Sequence, residues 1–161
     1  MVRSLLFSTL YPSAARPLHG VFVETRLREL LQRGGVQAQV VAPVPWFWST
    51  DPRYGDYARM AATPRHEVRH GVEVHHVDDL PRLARELGIA IGIIATPAGA
   101  AQTVADQLVA AGIRSILNFA PAVITVPPGA SLRKVDLALE LQILSFYQQH
   151  APADLEASPR A

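Results

Sequence analysis

The stretch "IIATPAGAAQTVADQLVAAGIRSILNFAP" at residues 93–121 constrains the fold more than any other. An uncharged apolar run ends at a proline turn. A helix-period segment follows, with Val104, Leu108 and Val109 on one side and Gln102 and Asp106 on the other. Gly112 closes it, and a second apolar run leads to Pro121. A strand, a crossover helix and a second strand in this order form a right-handed parallel unit in nearly every known case.

The same alternation recurs upstream and downstream. Residues 4–10, "SLLFSTL", read as a buried strand, and the Pro-rich loop "YPSAARPLHG" follows. A helix is expected from about Gly20 to Arg33, with Phe22, Leu27, Leu30 and Leu31 as its apolar stripe. Residues 36–43 supply the next strand, 72–77 another, and 79–87 a helix that Asp78 or Asp79 can cap. The run 88–96 reads as a central strand, the helix spans 97–111, and strands are expected at 113–119 and 122–126. Residues 131–135 suit an edge segment. The connection 44–70 is long for a compact domain, with a short helix fitting 54–61. Apolar middle strands alternating with helices define an α/β class: a single Rossmann-like open parallel sheet with helices on both faces. The expected order is 3-2-1-4-5 with a further strand at the far edge. One domain over 1–150 with a disordered tail at 151–161 suits a chain of 161 residues.

The segment 136–150, "DLALELQILSFYQQH", adds a C-terminal helix. Leu137, Leu141 and Leu144 make one stripe, and Leu139, Ile143 and Phe146 make a second. Apolar stripes on two sides call for burial on two sides. Packing between two subunits of a homodimer meets that need, and so does docking on the chain's own sheet.

Composition removes several classes. A net charge of +1 gives no polyanion-binding surface, and no helix-turn-helix or zinc-finger pattern offers direct nucleic acid contact. Absence of cysteine excludes disulfides and thiolate chemistry and fits a reducing, cytoplasmic setting. The apolar run at residues 1–11 is too short to span a membrane, so no membrane partner is expected.

Sites in open α/β sheets form beyond the carboxyl ends of the strands. Thr96, Pro97 and Ala98 lie at one such end, and Asn118, Phe119, Ala120 and Pro121 at the next. Ligand-facing loops and plain turn chemistry both fit them. Arg16, His19 and Gly20 precede a helix whose first N–H groups could face an anion, although both side chains could equally be solvated. Trp46, Phe47 and Trp48 cannot all face one core, so one should line a cleft or an interface. A dinucleotide site ordinarily carries G-x-G-x-x-G after its first strand and an acidic residue ending the second. Here Gly20 stands alone, and the second strand ends "VVAPVP". His66 and His70 stand four apart and His75 and His76 are adjacent, which gives no metal site by spacing. No nucleophile or general base stands out, so catalysis is not expected.

Two family resemblances follow. "GVEVHHVDDLPRL", "IGIIATPAGAAQTVADQLVAAGI", "ILNFAPAVITVPPG" and "VDLALELQILSFY" (about 71–147) resemble the NAD-binding, CoA-binding-like domain of the redox-sensing transcriptional repressor Rex. That resemblance implies a non-enzymatic regulatory domain with NADH or NAD as ligand. It places Thr96–Ala98 and Asn118–Pro121 toward the nicotinamide, and it implies a final helix swapped between two subunits. "LLFSTLYPSAARPLHGVFVETRLREL" and "VVAPVPWFWSTDPRYGDYARMAATPRHEV" (about 2–70) resemble the start of a retaining glycosyltransferase with two Rossmann-like domains. That second resemblance implies an acceptor-binding half, with Arg16, His19 and Gly20 near an acceptor or a donor phosphate. The alternatives to the regulatory reading are an acceptor-binding fragment and a structural dimer without ligand.

Overall fold

The computed structural model describes residues 1–136 except Trp46, together with Gln142, Ile143 and Ser145. Seven strands form one sheet: β1 (Val2–Ser8), β2 (Val36–Val41), β3 (His66–Arg69), β4 (Val72–His75), β5 (Ile91–Ala95), β6 (Ser115–Asn118) and β7 (Ser131–Lys134). Their order is β3-β4-β2-β1-β5-β6-β7. Counting β4 as the third parallel strand, this is the expected 3-2-1-4-5 arrangement with β7 at the far edge. The antiparallel edge strand β3 is additional.

Residues 1–136 also form four α-helices, α1 (Val21–Gln32), α2 (Asp56–Ala61), α3 (Leu80–Leu87) and α4 (Ala98–Ala110), and short 3-10 turns at Pro52–Tyr54 and Val77–Asp79. Two apolar clusters mark the two faces of the sheet. Leu6, Val40, Val72 and Val74 pack with Leu27 of α1. Leu5, Phe7, Val41 and Ile94 pack with Leu80 and Leu83 of α3 and Val104 and Leu108 of α4. Alternate residues of β1 thus serve opposite layers, as strand geometry requires. Gly92, central in β5, fits this packing: a Cβ there would stand 3.0 Å from a Leu108 methyl.

Both clusters mix residues from either side of position 71, and β1 lies in the middle of the sheet. The segments on either side of position 71 thus share one sheet and both of its apolar layers.

Three local expectations differ from the structure. Residues 122–126 are not a strand. Side chains bind that backbone instead: Asn118 Nδ2 donates to Ala122 O at 3.0 Å, and Gln102 Oε1 accepts from Thr125 N at 2.9 Å. Asp78 and Asp79 do not cap α3 through their side chains, since Asp78 binds Arg65 at 2.6 Å and Asp79 binds Arg82 at 3.4 Å. Residues 66–69 pair with 72–75 in a hairpin whose two turn residues, His70 and Gly71, have φ of 49° and 80°. Positive φ at both central residues is the signature of the tight turn that suits a hairpin's twist. Gln142, Ile143 and Ser145 are helical, as expected for the C-terminal helix. The apolar stripe residues Leu137, Leu141, Leu144, Leu139 and Phe146, and the tail 151–161, lie outside the described residues.

Candidate functional site

The sheet reverses its winding between β1 and β5, and loops leave their carboxyl ends on opposite faces. Open α/β sheets bind ligands in the crevice at such a point. Thr9 follows β1 directly and Thr96 follows β5, each one residue beyond the paired Ser8 and Ala95. Both hydroxyls are buried without a hydrogen-bond partner among the described residues, as is the Tyr11 hydroxyl. A buried hydroxyl left unpaired costs about 1–3 kcal/mol, so three at one edge of the sheet mark a place for a polar guest. Burial, and then the nearby Glu24 carboxylate, push the Tyr11 phenol up to about 12, so it stays a neutral donor.

A cleft of about 220 Å³ opens beside the crevice, over the ends of β1, β2 and β4. Thr9, Tyr11, Arg16, His19, Pro43 and Phe47 are among its walls. Phe47 is thus the aromatic that meets the cleft, while Trp48 is exposed and Trp46 lies outside the described residues. Arg16 and His19 are brought together, with Arg16 Nη2 3.0 Å from His19 Nδ1. Arginine can only donate, so Nδ1 accepts and Nε2–H is left to donate to Thr9 O at 3.2 Å. Gly20 closes this loop as the residue preceding α1. Its φ is 74°, and a Cβ would fall inside van der Waals contact with the Leu10 carbonyl. Behind the loop, Arg69 Nε donates to Glu24 Oε1 at 2.8 Å in a largely buried ion pair, and this bond raises the arginine further above its ordinary value. Sequence reading missed Tyr11, Glu24 and Arg69, since nothing in their spacing places them together.

The second set of expected site residues divides by role. Thr96 is buried, whereas Pro97 and Ala98 are exposed at the start of α4. Asn118 is 1% exposed and shapes the turn after β6, accepting from Ala120 N at 2.9 Å. Ala120 is part of the apolar core, while Phe119 and Pro121 face outward. β5 and β6 are neighbours, so the two expected loops do adjoin.

The class that this geometry defines is a Rossmann-like α/β domain. Comparison with known proteins is in keeping with it. A family model described as a CoA binding domain matches residues 60–122. The redox-sensing transcriptional repressor Rex of Streptomyces coelicolor is 55% identical over 96 residues, which cover 56% of this chain and 37% of that protein. Rex of Desulfitobacterium hafniense is 51% identical over 76 residues, covering 47% and 36% respectively. The chain thus spans little more than a third of the curated relatives it matches.

Among solved structures, RSP, a Rex-family repressor, superposes with a TM-score of 0.64 at 22% identity, covering 92% of this chain and 59% of that one. RSP in complex with beta-NADH gives the same values. RSP with beta-NAD+ and operator DNA gives 0.62, covering 92% and 57%. The expected Rossmann-like α/β fold is borne out, and the C-terminal half is similar in sequence to Rex repressors. The reading of residues 2–70 as a glycosyltransferase-like half is corrected, because the Rex-type fold runs through 92% of the chain and does not begin at residue 71. A parallel β-α-β unit buries its strands alike in any Rossmann-like fold, so its apolar pattern does not tell one family from another.

Proposed function

We propose that the chain is a Rex-like nucleotide-sensing domain, without catalysis of its own, that takes NADH and NAD across the β1/β5 reversal as a homodimer. The observation that carries this reading is the pair of partnerless buried hydroxyls, Thr9 and Thr96, at that point. The high identity to Rex repressors supports the choice of ligand class. Thr96, Pro97, Ala98 and Phe119 would meet the nicotinamide side, with Asn118, Ala120 and Pro121 setting the turn that presents Phe119. Tyr11, Arg16 and His19 would meet the other half of the dinucleotide, and Gly20 would bring the start of α1 close to its pyrophosphate. This half-site does without the glycine fingerprint and without an acidic residue after β2, so its polar contacts must come from these side chains.

Calorimetric titration with NADH and with NAD, alongside light scattering, tests the reading. Micromolar binding to a dimer is expected, and no heat with either nucleotide would overturn it. Thr96→Val sharpens the test. Losing one hydrogen bond to the ligand should cost about 1–1.5 kcal/mol, or roughly tenfold in Kd. Folding stability should hold or rise, since an unpaired hydroxyl is removed. Unchanged affinity in this variant would move the ligand away from β5.

A further inference from the structure

On the face of the sheet that carries α3, the β3–β4 hairpin sets His66 directly opposite His75. Glu73, two residues before His75, projects to the same face. The ligating atoms converge. Glu73 Oε2 lies 3.2 Å from His66 Nε2 and 3.5 Å from His75 Nε2, and the three ligand atoms all lie within 4.8 Å of one another. Gln39 on β2 adds an amide oxygen, Oε1, 2.7 Å from His75 Nε2. His75 is buried, whereas His66 and Glu73 are open to solvent, so one anchored ligand meets two reachable ones. The surrounding recess is lined also by Asp79 and Arg82. Arg82 is held by Asp79 at 3.4 Å and Glu86 at 3.0 Å, which takes up its charge.

We propose that His66, Glu73 and His75 bind a divalent transition metal of the zinc type, with a solvent molecule in the fourth position. Bonds of about 2.0–2.2 Å to nitrogen and oxygen set tetrahedral ligands roughly 3.3–3.5 Å apart. The two distances from Glu73 Oε2 match that spacing before any ion arrives. Two imidazoles and a carboxylate suit zinc and its neighbours, and they do not suit magnesium or calcium, which take oxygen shells. The ion would replace the Nε2 proton that His75 shares with Gln39. It would tie the four-residue edge strand β3 to β4.

Equilibrium dialysis of the chelator-stripped full chain against zinc chloride tests this, with cobalt chloride as a spectroscopic probe of coordination. One zinc per chain is expected, with a tetrahedral cobalt spectrum that zinc abolishes. His66→Ala and Glu73→Gln, both at exposed positions, should each weaken binding by about tenfold or more, since even supporting groups around a metal site matter that much. His70→Asn, which tolerates the positive φ of the turn, should bind as the parent does. Absence of stoichiometric zinc in the parent chain would overturn the proposal. So would equal affinity in parent, His66→Ala and Glu73→Gln, with folding of each variant checked by circular dichroism.

Discussion

Single residues decide the shape of the crevice. Gly20 is the sharpest case, because its φ of 74° and the Leu10 carbonyl beside it both exclude a side chain. The left-handed conformation alone costs a non-glycine residue about 1–2 kcal/mol, and the clash adds to that. Gly20→Ala should therefore lower the urea midpoint by at least that equivalent and weaken NADH binding, as read by denaturation and calorimetry. His75 gives a second residue-scale outcome. Burial is the main cause that lowers its pKa from 6.5, with His66 and Arg82 adding to it and Glu73 and Asp79 opposing it. A histidine with a depressed folded pKa binds more protons when unfolded. Its stabilising contribution is full above about 6.5 and is lost as pH falls through the lower folded value. Urea midpoints measured in chelator should decline as pH drops below 6.5, and His75→Asn should flatten that decline. Gly20 was visible in the sequence as a helix start. The setting of His75 was not, because it depends on the opposite strand.

At the scale of elements, what was legible followed periodicity. α4 and β5 stood out because their apolar positions repeat at 3.6 residues or run without charge. The hairpin was hidden because "RHEVRHG" is short and charged, and because His70-Gly71 is a less familiar turn pair than Asn-Gly. The metal-ligand cluster was hidden with it: His66 and His75 are nine positions apart and meet only once the register is fixed. The segment 122–126 misled in the opposite direction. Its apolar run between prolines resembles a strand, yet Gln102 of α4 takes the place of a ladder partner. Gln102 accepts from Thr125 N at 2.9 Å and donates to Thr125 O at 3.0 Å. Removing both bonds in Gln102→Ala should cost about 1–2 kcal/mol, since each exposed bond contributes modestly. Hydrogen exchange at the Thr125 amide should accelerate in that variant, while exchange in β5 follows only the global change. Equal acceleration in both places would show that the clamp is not local.

At the scale of the whole molecule, the strand order was legible because crossover handedness and strand count leave few arrangements. The origin of the N-terminal half was not legible. A β-α-β unit buries its strands in the same way in any Rossmann-like protein, so Leu5, Leu6 and Phe7 carry packing information and no family information. The proposed assembly rests on pattern of another kind. In "DLALELQILSFYQQH", Leu137, Leu141 and Leu144 share one stripe and Leu139, Ile143 and Phe146 another. One sheet face can cover one stripe, and a second copy of the chain can cover the other. Leu141→Asp would place an unpaired carboxylate in that contact, at a cost several times larger than a typical surface change. The expected result is a monomer by light scattering, with the far-ultraviolet spectrum of the parent. NADH binding that weakens together with the loss of the dimer would tie the nucleotide site to assembly. A Leu141→Asp protein that remains dimeric would place the subunit contact elsewhere, and the two-sided helix would then be explained by docking within one chain.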